Sequence, residues 1–456
     1  MIRYLLGGLL LLELGLTNAS QLTNNASHSK ERHIGTPLWT FTPNLNYPPK
    51  QKISAADSIT VQYTVTNQSS KSHSLQMKPI PGVTVTGCST LPGHQSCLLT
   101  LTITGSALTK NITDGPILCE QGNPLQCYRP SPGNELNIKL TELFAYVSSF
   151  NSGRADAASV YKCDLTSTAG FENCILATNT SGDFENIAFA TVRGTQYAYV
   201  ANNGPFPNVG NMYYCTLNTD GSFNSCIETP TSGAPSWNPV GIAFATVQGV
   251  QYAYVTSGSY GLPGNKNVFQ CTLNTNGTFN TCIETPATGA PSWNPLGIAF
   301  ATVQGIQYAY VADFNGSMYR CTLNTDGTLN GCTVTPTVGA PSWLPDGVSF
   351  TSVQGIQYAY VADYNRNVYR CTLNTNGTFN TCSVTPIAGA PIWLPEQIAF
   401  LSYNGAQYAY VADNILLPNL GNMYQCTIEA DGSFNACTAT PITGAPNWSP
   451  AGIAFN

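Results

Sequence analysis

The chain has 456 residues, only 9% of them charged, and a formal net charge of −6. That balance excludes nucleic acid, which needs basic patches, and adsorption to anionic lipid. The length and the patterning imply two domains, each large enough to bury a core.

Residues 1–19 read as a secretory signal. Arg3 supplies the positive start, residues 4–12 are apolar, and Thr17, Asn18 and Ala19 give small residues before a cut. The apolar run is too short to span a bilayer, and no other stretch could span once the signal is removed. Residues 20–35 are polar and read as a flexible mature N-terminus.

Residues 36–141 change pattern. Ile59, Val61, Tyr63 and Val65 alternate with polar residues, as do Leu99, Leu101 and Ile103, and then Leu136, Ile138 and Leu140. Such strands over about a hundred residues predict a small antiparallel β-sandwich. Cys88/Cys97 and Cys119/Cys127 are expected as local staples. The stretch from Val61 to Asn67, followed by Ser69-Ser70 and a Cys-rich loop, resembles immunoglobulin-like modules of bacterial surface and exported proteins.

Residues 142–456 repeat a unit of roughly fifty residues, a period that marks stacked or radial repeats. Each unit carries one Cys pair: Cys163/Cys174, Cys215/Cys226, Cys271/Cys282, Cys321/Cys332, Cys371/Cys382 and Cys426/Cys437. In the unit around Phe350, four short β-rich runs are separated by turn signals, as in a propeller blade. The first unit lacks its opening strand, and the chain ends on Gly452-Ile453-Ala454-Phe455, the strand that is missing. The expected fold is therefore all-β: a six-bladed β-propeller closed by the C-terminal strand and preceded by the sandwich.

The third and fourth runs meet at Asp220-Gly221, Asn276-Gly277, Asp326-Gly327, Asn376-Gly377 and Asp431-Gly432. These dipeptides predict two-residue type I′ hairpins. Such turns set each Cys opposite its partner, at a hydrogen-bonded site that a bulge can adjust. Zinc is disfavoured, because the Cys spacing is too long for a knuckle and no His follows residue 94. Disulfides place the protein in an oxidising destination, either secreted or in the periplasm or cell envelope.

The Tyr-Ala-Tyr-Val-Ala-Asp/Asn strands and Tyr254-Val255-Thr256-Ser257, followed by Asn-Val/Met-Tyr, resemble YVTN-type propeller repeats, which are similar to lactonase-like propellers. The resemblance covers residues 142–456. It implies the fold; lactonase-type and paraoxonase-like propellers also work with metal-binding carboxylates, often with His or Arg, and this region contains no His.

Loop lengths vary on one face only, so function is expected there. Gly-Ala-Pro-x-Trp-x-Pro recurs between units, giving Trp237, Trp293, Trp343, Trp393 and Trp448. These are either sugar-stacking ligand-binding residues or wedges between blades; the repeated junction favours the wedge. Asp313, Asp363 and Asp413 end second strands, while Glu185, Asp346 and Glu396 precede first strands near the expected channel mouth. Asp313, Asp346, Asp363, Glu396 and Asp413 are the candidate metal ligands, with calcium as the only candidate cofactor. The other reading of the three strand-end aspartates, and the favoured one, is loop capping. The expectation from sequence is a monomeric exported recognition module, non-catalytic, binding a protein or glycan partner. The alternatives are a calcium-dependent lactonase-like hydrolase or a structural envelope protein.

Overall fold

The computed structural model describes residues 37–456 except 54–57, 109, 141, 151–158, 178–181, 205–209, 231–234, 259–264, 287–290, 337–340, 387–390 and 415–420. The expected signal and polar N-terminus, residues 1–35, lie outside the described residues.

Residues 39–140 form two four-stranded sheets around one core. One sheet orders Trp39–Pro43, Ser58–Asn67, Ser96–Thr104 and Val83–Thr86. The other orders Thr90–Leu91, His73–Met77, Leu118–Glu120 and Asn123–Tyr128. Period-two alternation sends Val61, Tyr63, Val65, Leu99, Leu101 and Ile103 inward, where they meet Trp39, Leu91 and Leu118. Lys50–Ile53 pairs in parallel with Asn137–Leu140 to form a separate two-stranded ribbon.

The remaining described strands form six four-stranded antiparallel sheets. Five of the six follow chain order, such as Pro345–Val353, Ile356–Asp363, Asn367–Leu373 and Phe379–Val384. The first sheet draws its opening strand from the far end of the chain: Pro450–Phe455 pairs with Ala145–Ser149. Opening strands touch in succession from Phe184–Val192 through Pro395–Tyr403 to Pro450–Phe455, which also touches Phe184–Val192.

Three polar contacts recur between neighbouring sheets. Tyr146, Tyr199, Tyr254, Tyr310, Tyr360 and Tyr410 are fully buried. Their hydroxyls donate at 2.6 Å to the next hairpin's carbonyls, on Gly221, Gly277, Gly327, Gly377, Gly432 and Ala169. A buried hydroxyl without a partner would cost ~1–3 kcal/mol, so these bonds fix where each sheet meets the next. Thr229, Thr285, Thr335, Thr385 and Thr440 accept a backbone N–H from the following sheet at 2.5–2.6 Å. The residue before each first Cys also reaches across; Lys162, Gln270 and Gln425 donate to Asp220, Asp326 and Thr168 carbonyls at 2.7–2.8 Å.

All eight expected disulfides are present, and no cysteine is free. Two staple the N-terminal module, Cys88–Cys97 and Cys119–Cys127. The other six close one hairpin per sheet: Cys163–Cys174, Cys215–Cys226, Cys271–Cys282, Cys321–Cys332, Cys371–Cys382 and Cys426–Cys437. The two halves of each bridge sit in different surroundings. Cys88, Cys119, Cys163, Cys215, Cys271, Cys321, Cys371 and Cys426 are buried, whereas Cys97, Cys127, Cys174, Cys226, Cys282, Cys332, Cys382 and Cys437 are half-buried. In the six sheets the second Cys lies on the edge strand, which has a neighbour on one side only.

The expected hydrogen-bonded placement of these pairs is corrected. Their Cα atoms lie 4.0–4.1 Å apart in the six sheets, the close spacing of a non-hydrogen-bonded pair. The cause is the turn, which is not the expected one. At Asp220-Gly221 the Gly221 N–H bonds the Asn218 carbonyl and the Asn218 N–H bonds the Ser222 carbonyl, while only Gly221 has positive φ. This is a three-residue loop closed by a glycine bulge, not type I′. The physical reason is the side chain: Asp220 Oδ1 accepts from the Ser222 N–H and hydroxyl at 2.9 and 2.6 Å, which holds Asp220 at negative φ. Asn276, Asp326, Asn376 and Asp431 make the same pair of bonds. The ladder shifts register between each turn and its Cys pair. Two consecutive positive-φ residues occur instead between first and second strands, at Gln248-Gly249, Gln304-Gly305, Gln354-Gly355 and Asn404-Gly405.

Candidate functional site

The opening strands of the six sheets converge on one small cavity. Glu185, Val240, Leu296, Asp346, Glu396 and Ala451 line it, one from each sheet. They occupy the same place in the repeat, the position after Pro239, Pro295, Pro345, Pro395 and Pro450, or after Phe184 in the second sheet. A register shift at this point in the second to sixth sheets releases the segment from its own ladder and lets it turn inward.

Glycine at the next position allows the strands to come this close. A Cβ on Gly347 would stand 2.2 Å from the Glu396 carbonyl oxygen, and one on Gly297 would stand 2.5 Å from that of Asp346. Asn186 and Gln397 break the glycine pattern on either side of Gly452. Gln397 Nε2 donates to Asn186 Oδ1 at 3.1 Å, and Gln397 Oε1 accepts the Ile453 N–H at 2.7 Å. This amide bridge spans the sheet that lies between them.

The lining is lopsided. Val240 and Leu296 make one apolar side, and the three carboxylates occupy the rest with Ala451. Glu185 and Glu396 are almost fully buried. Glu185 Oε1 accepts from Asn203 Nδ2 at 3.2 Å; Glu396 Oε1 accepts from Asn414 Nδ2, and Asn414 Oδ1 accepts from Ser449 Oγ at 2.8 Å. Burial pushes the Glu185 carboxyl up to about 8, with the Asp346 charge adding to the rise and the Asn203 bond opposing it. Glu396 is also held well above the usual carboxylate range, by burial first and then by Asp346 and Glu185. Like charges this close do not all ionise together, so the site retains protons at neutral pH.

The cavity measures about 20 Å³. That is room for roughly one water molecule and far too little for a sugar ring. The arrangement can hold a water between proton-bearing and ionisable carboxylates.

The other candidate metal ligands do different work. Asp313 Oδ1 accepts the Asn294 and Asn315 N–H groups at 2.7 and 3.0 Å. Asp363 Oδ1 takes those of Leu344 and Asn365, and Asp413 Oδ1 takes that of Leu394. Each ties an inter-sheet loop to the end of a second strand. Among the described residues, no group of three or more His, Cys, Asp or Glu side chains has the spacing to hold a metal ion. Asp313, Asp363 and Asp413 are thus not gathered with Asp346 and Glu396 into one ligand set.

Trp237, Trp293, Trp343, Trp393 and Trp448 are only 1–5% exposed. Each packs edge-on against an aromatic ring of the third strand in its own sheet, Phe269, Tyr319, Tyr369, Tyr424 and Tyr161 respectively, at 5.4–5.7 Å. A sugar-stacking platform needs an open indole face, which this burial does not leave.

Sequence reading singled out Glu185, Asp346 and Glu396 but missed Asn186, Asn203, Gln397 and Asn414. The signal for two of these was present: Asn186 and Gln397 replace glycine at a position that is otherwise glycine in the repeat.

No protein-family profile matches the chain, and no curated protein matches it in sequence. Solved structures do resemble it. A protein of unknown function from Bacteroides caccae aligns at 12% identity and TM-score 0.41, over 69% of this chain and 99% of its own. An α-L-arabinofuranosidase from Lactobacillus brevis aligns at 16% identity and TM-score 0.34, over 52% and 90%. The GH43_1 enzyme from Xanthomonas citri, solved with xylose, aligns at 12% and 0.38, over 56% and 90%. Two of the three are carbohydrate-directed enzymes by name, and this corrects the expectation of a non-catalytic recognition module. At these scores the likeness says nothing further about this chain's own chemistry, and no profile supports the YVTN or lactonase-like resemblance specifically.

Proposed function

We propose that the six sheets form one closed six-bladed propeller and that the carboxylates on its axis make the chain a hydrolase of glycosidic bonds. The observation that carries this reading is the meeting of Glu185, Asp346 and Glu396, from three different sheets, around a cavity of one-water size. Burial raises both glutamates, and the nearby Asp346 adds to the rise at each. In this reading Asp346 is the base that draws a proton from the trapped water. Glu185, still protonated near neutral pH, is the acid that protonates the leaving oxygen. Asn203 and Asn414 fix the two glutamates. The substrate lies outside the cavity, and the water's oxygen attacks the anomeric carbon as the C–O bond to the leaving oxygen breaks. Eight disulfides and a sparsely charged chain agree with action outside the cytoplasm. No helix of the described residues is long and apolar enough to cross a membrane.

The test is a panel of aryl glycosides and plant and bacterial polysaccharides, assayed with oxidised full-chain protein for released reducing ends. Release that falls at least about a hundredfold in both Asp346→Asn and Glu185→Gln supports the reading. No release from any member of the panel, with or without added calcium, overturns it.

A further inference from the structure

A second constellation stands in the N-terminal module, remote in sequence from the axial carboxylates. His73 opens the strand His73–Met77 and is buried, its ring 5.5 Å from that of Trp39. Its Nδ1 lies 2.9 Å from Glu120 Oε1, and its Nε2 lies 2.9 Å from Ser69 Oγ. Glu120 comes from Leu118–Glu120, the strand paired beside His73–Met77. Ser69 comes from the turn after Ser58–Asn67.

These contacts suit one tautomer of a neutral His73. A carboxylate can only accept, so the proton between Glu120 and His73 sits on Nδ1. That leaves Nε2 with its lone pair facing the Ser69 hydroxyl, the arrangement of a general base beside a nucleophile. The serine proton has two other acceptors in reach, Asn67 Oδ1 at 2.9 Å and the Lys71 carbonyl at 3.2 Å. Both are amide oxygens and far weaker bases than an imidazole nitrogen, and Asn67 Oδ1 already takes the Ser69 N–H at 2.8 Å. The Lys71 N–H also donates to Ser69 Oγ, at 3.3 Å.

The turn is held in place. Asn67, itself buried, donates from Nδ2 to the Lys71, Leu91 and Pro92 carbonyls at 2.7–3.1 Å, and the His94 N–H bonds the Ser69 carbonyl at 2.9 Å. Ser69 is half-buried and the Glu120 side chain is 27% exposed, so solvent reaches one side of the relay.

We propose that Ser69, His73 and Glu120 form a nucleophile–base–carboxylate relay that hydrolyses small acyl esters. Ser69 Oγ attacks the ester carbonyl carbon while its proton passes to His73 Nε2. The ester C–O bond breaks, and the leaving alkoxide takes that proton. Water then attacks the acyl-serine by the same path, releasing the carboxylic acid and restoring Ser69. The Glu120 carboxylate bonds His73 and acts through it, so Glu120 is a positioning residue. This activity is independent of the axial site.

The test uses oxidised full-chain protein with a fluorophosphonate probe, peptide mass mapping, and p-nitrophenyl acetate turnover. The expected result is a single phosphonyl adduct on Ser69, absent in Ser69→Ala. Labelling and turnover should each slow at least about tenfold in Glu120→Gln with the melting temperature followed alongside. A merely structural Glu120 would change the melting temperature and leave the labelling rate alone. Wild-type protein that gains no adduct on Ser69 overturns the proposal without recourse to any variant. So does folded Glu120→Gln protein that labels at the wild-type rate.

Discussion

Replacing Glu185 by glutamine should stabilise the protein by an amount that grows with pH. The carboxyl ordinarily titrates at 4.5, and burial moves it to about 8 in the fold. Below pH 4.5 it is protonated in both the folded and the unfolded chain, so it contributes no pH dependence. Between 4.5 and 8 the unfolded chain ionises and gains free energy, while the folded chain keeps its proton. Stability therefore falls by about 1.4 kcal/mol per pH unit across that window, or roughly 5 kcal/mol in all. The substituted amide has nothing to ionise, and its oxygen can still accept from Asn203 Nδ2. With an unfolding entropy near 2.1 cal/mol/K per residue over roughly 315 residues, that difference corresponds to about 7 °C. The assay is differential scanning calorimetry of wild type and Glu185→Gln at half-unit steps from pH 4 to 8.5, without reductant. The two melting temperatures should agree within about 1 °C at pH 4 and separate steadily to pH 8. A constant gap across the range would refute the reasoning, since it would mean that Glu185 ionises in the fold as easily as in water.

Three other substitutions probe the packing that builds the site. Tyr360→Phe leaves the Gly432 carbonyl without its 2.6 Å donor and should cost about 1–2 kcal/mol, seen as a melting drop of about 2–3 °C; an unchanged melting temperature would show that the bond is not formed. Gly347→Ala puts a Cβ 2.2 Å from the Glu396 carbonyl oxygen, so the opening strands must separate. Urea titration should show a loss of about 3 kcal/mol and any glycosidase activity should fall with it, whereas full stability would mean that the strands are not packed this closely. Converting Cys371 and Cys382 together to Ala should cost at most about 3 kcal/mol, because the two strands are already paired by their own ladder. A complete loss of cooperative unfolding by circular dichroism would contradict that limit.

The turns show how far local pattern carries. Asp-Gly and Asn-Gly announced hairpins at the right places, yet the loop type followed from one side chain bonding two residues ahead. That choice depends on a Ser or Thr after the Gly, a signal present at Ser222, Thr278, Thr328, Thr378 and Ser433. The tryptophans were equally visible, but whether an indole is a platform or a wedge depends on what covers it. The Ser69–His73–Glu120 relay was invisible because no sequence spacing defines it; Glu120 reaches His73 only because two strands pair side by side.

The sequence by itself determined the all-β class, the fifty-residue unit, the eight disulfides and the return of the last strand to the first sheet. Each rests on short-range pairing repeated at a fixed period, so a single line of residues contains the information. Tertiary structure alone decided that Glu185, Asp346 and Glu396 share one cavity, that the strand-end aspartates cap loops, and that Asn186 and Gln397 bridge across Gly452. Those contacts join residues about 50 to 210 positions apart. Their proximity follows from six sheets packing on one another, and buried carboxylates acquire unusual protonation only once that packing has removed the water around them.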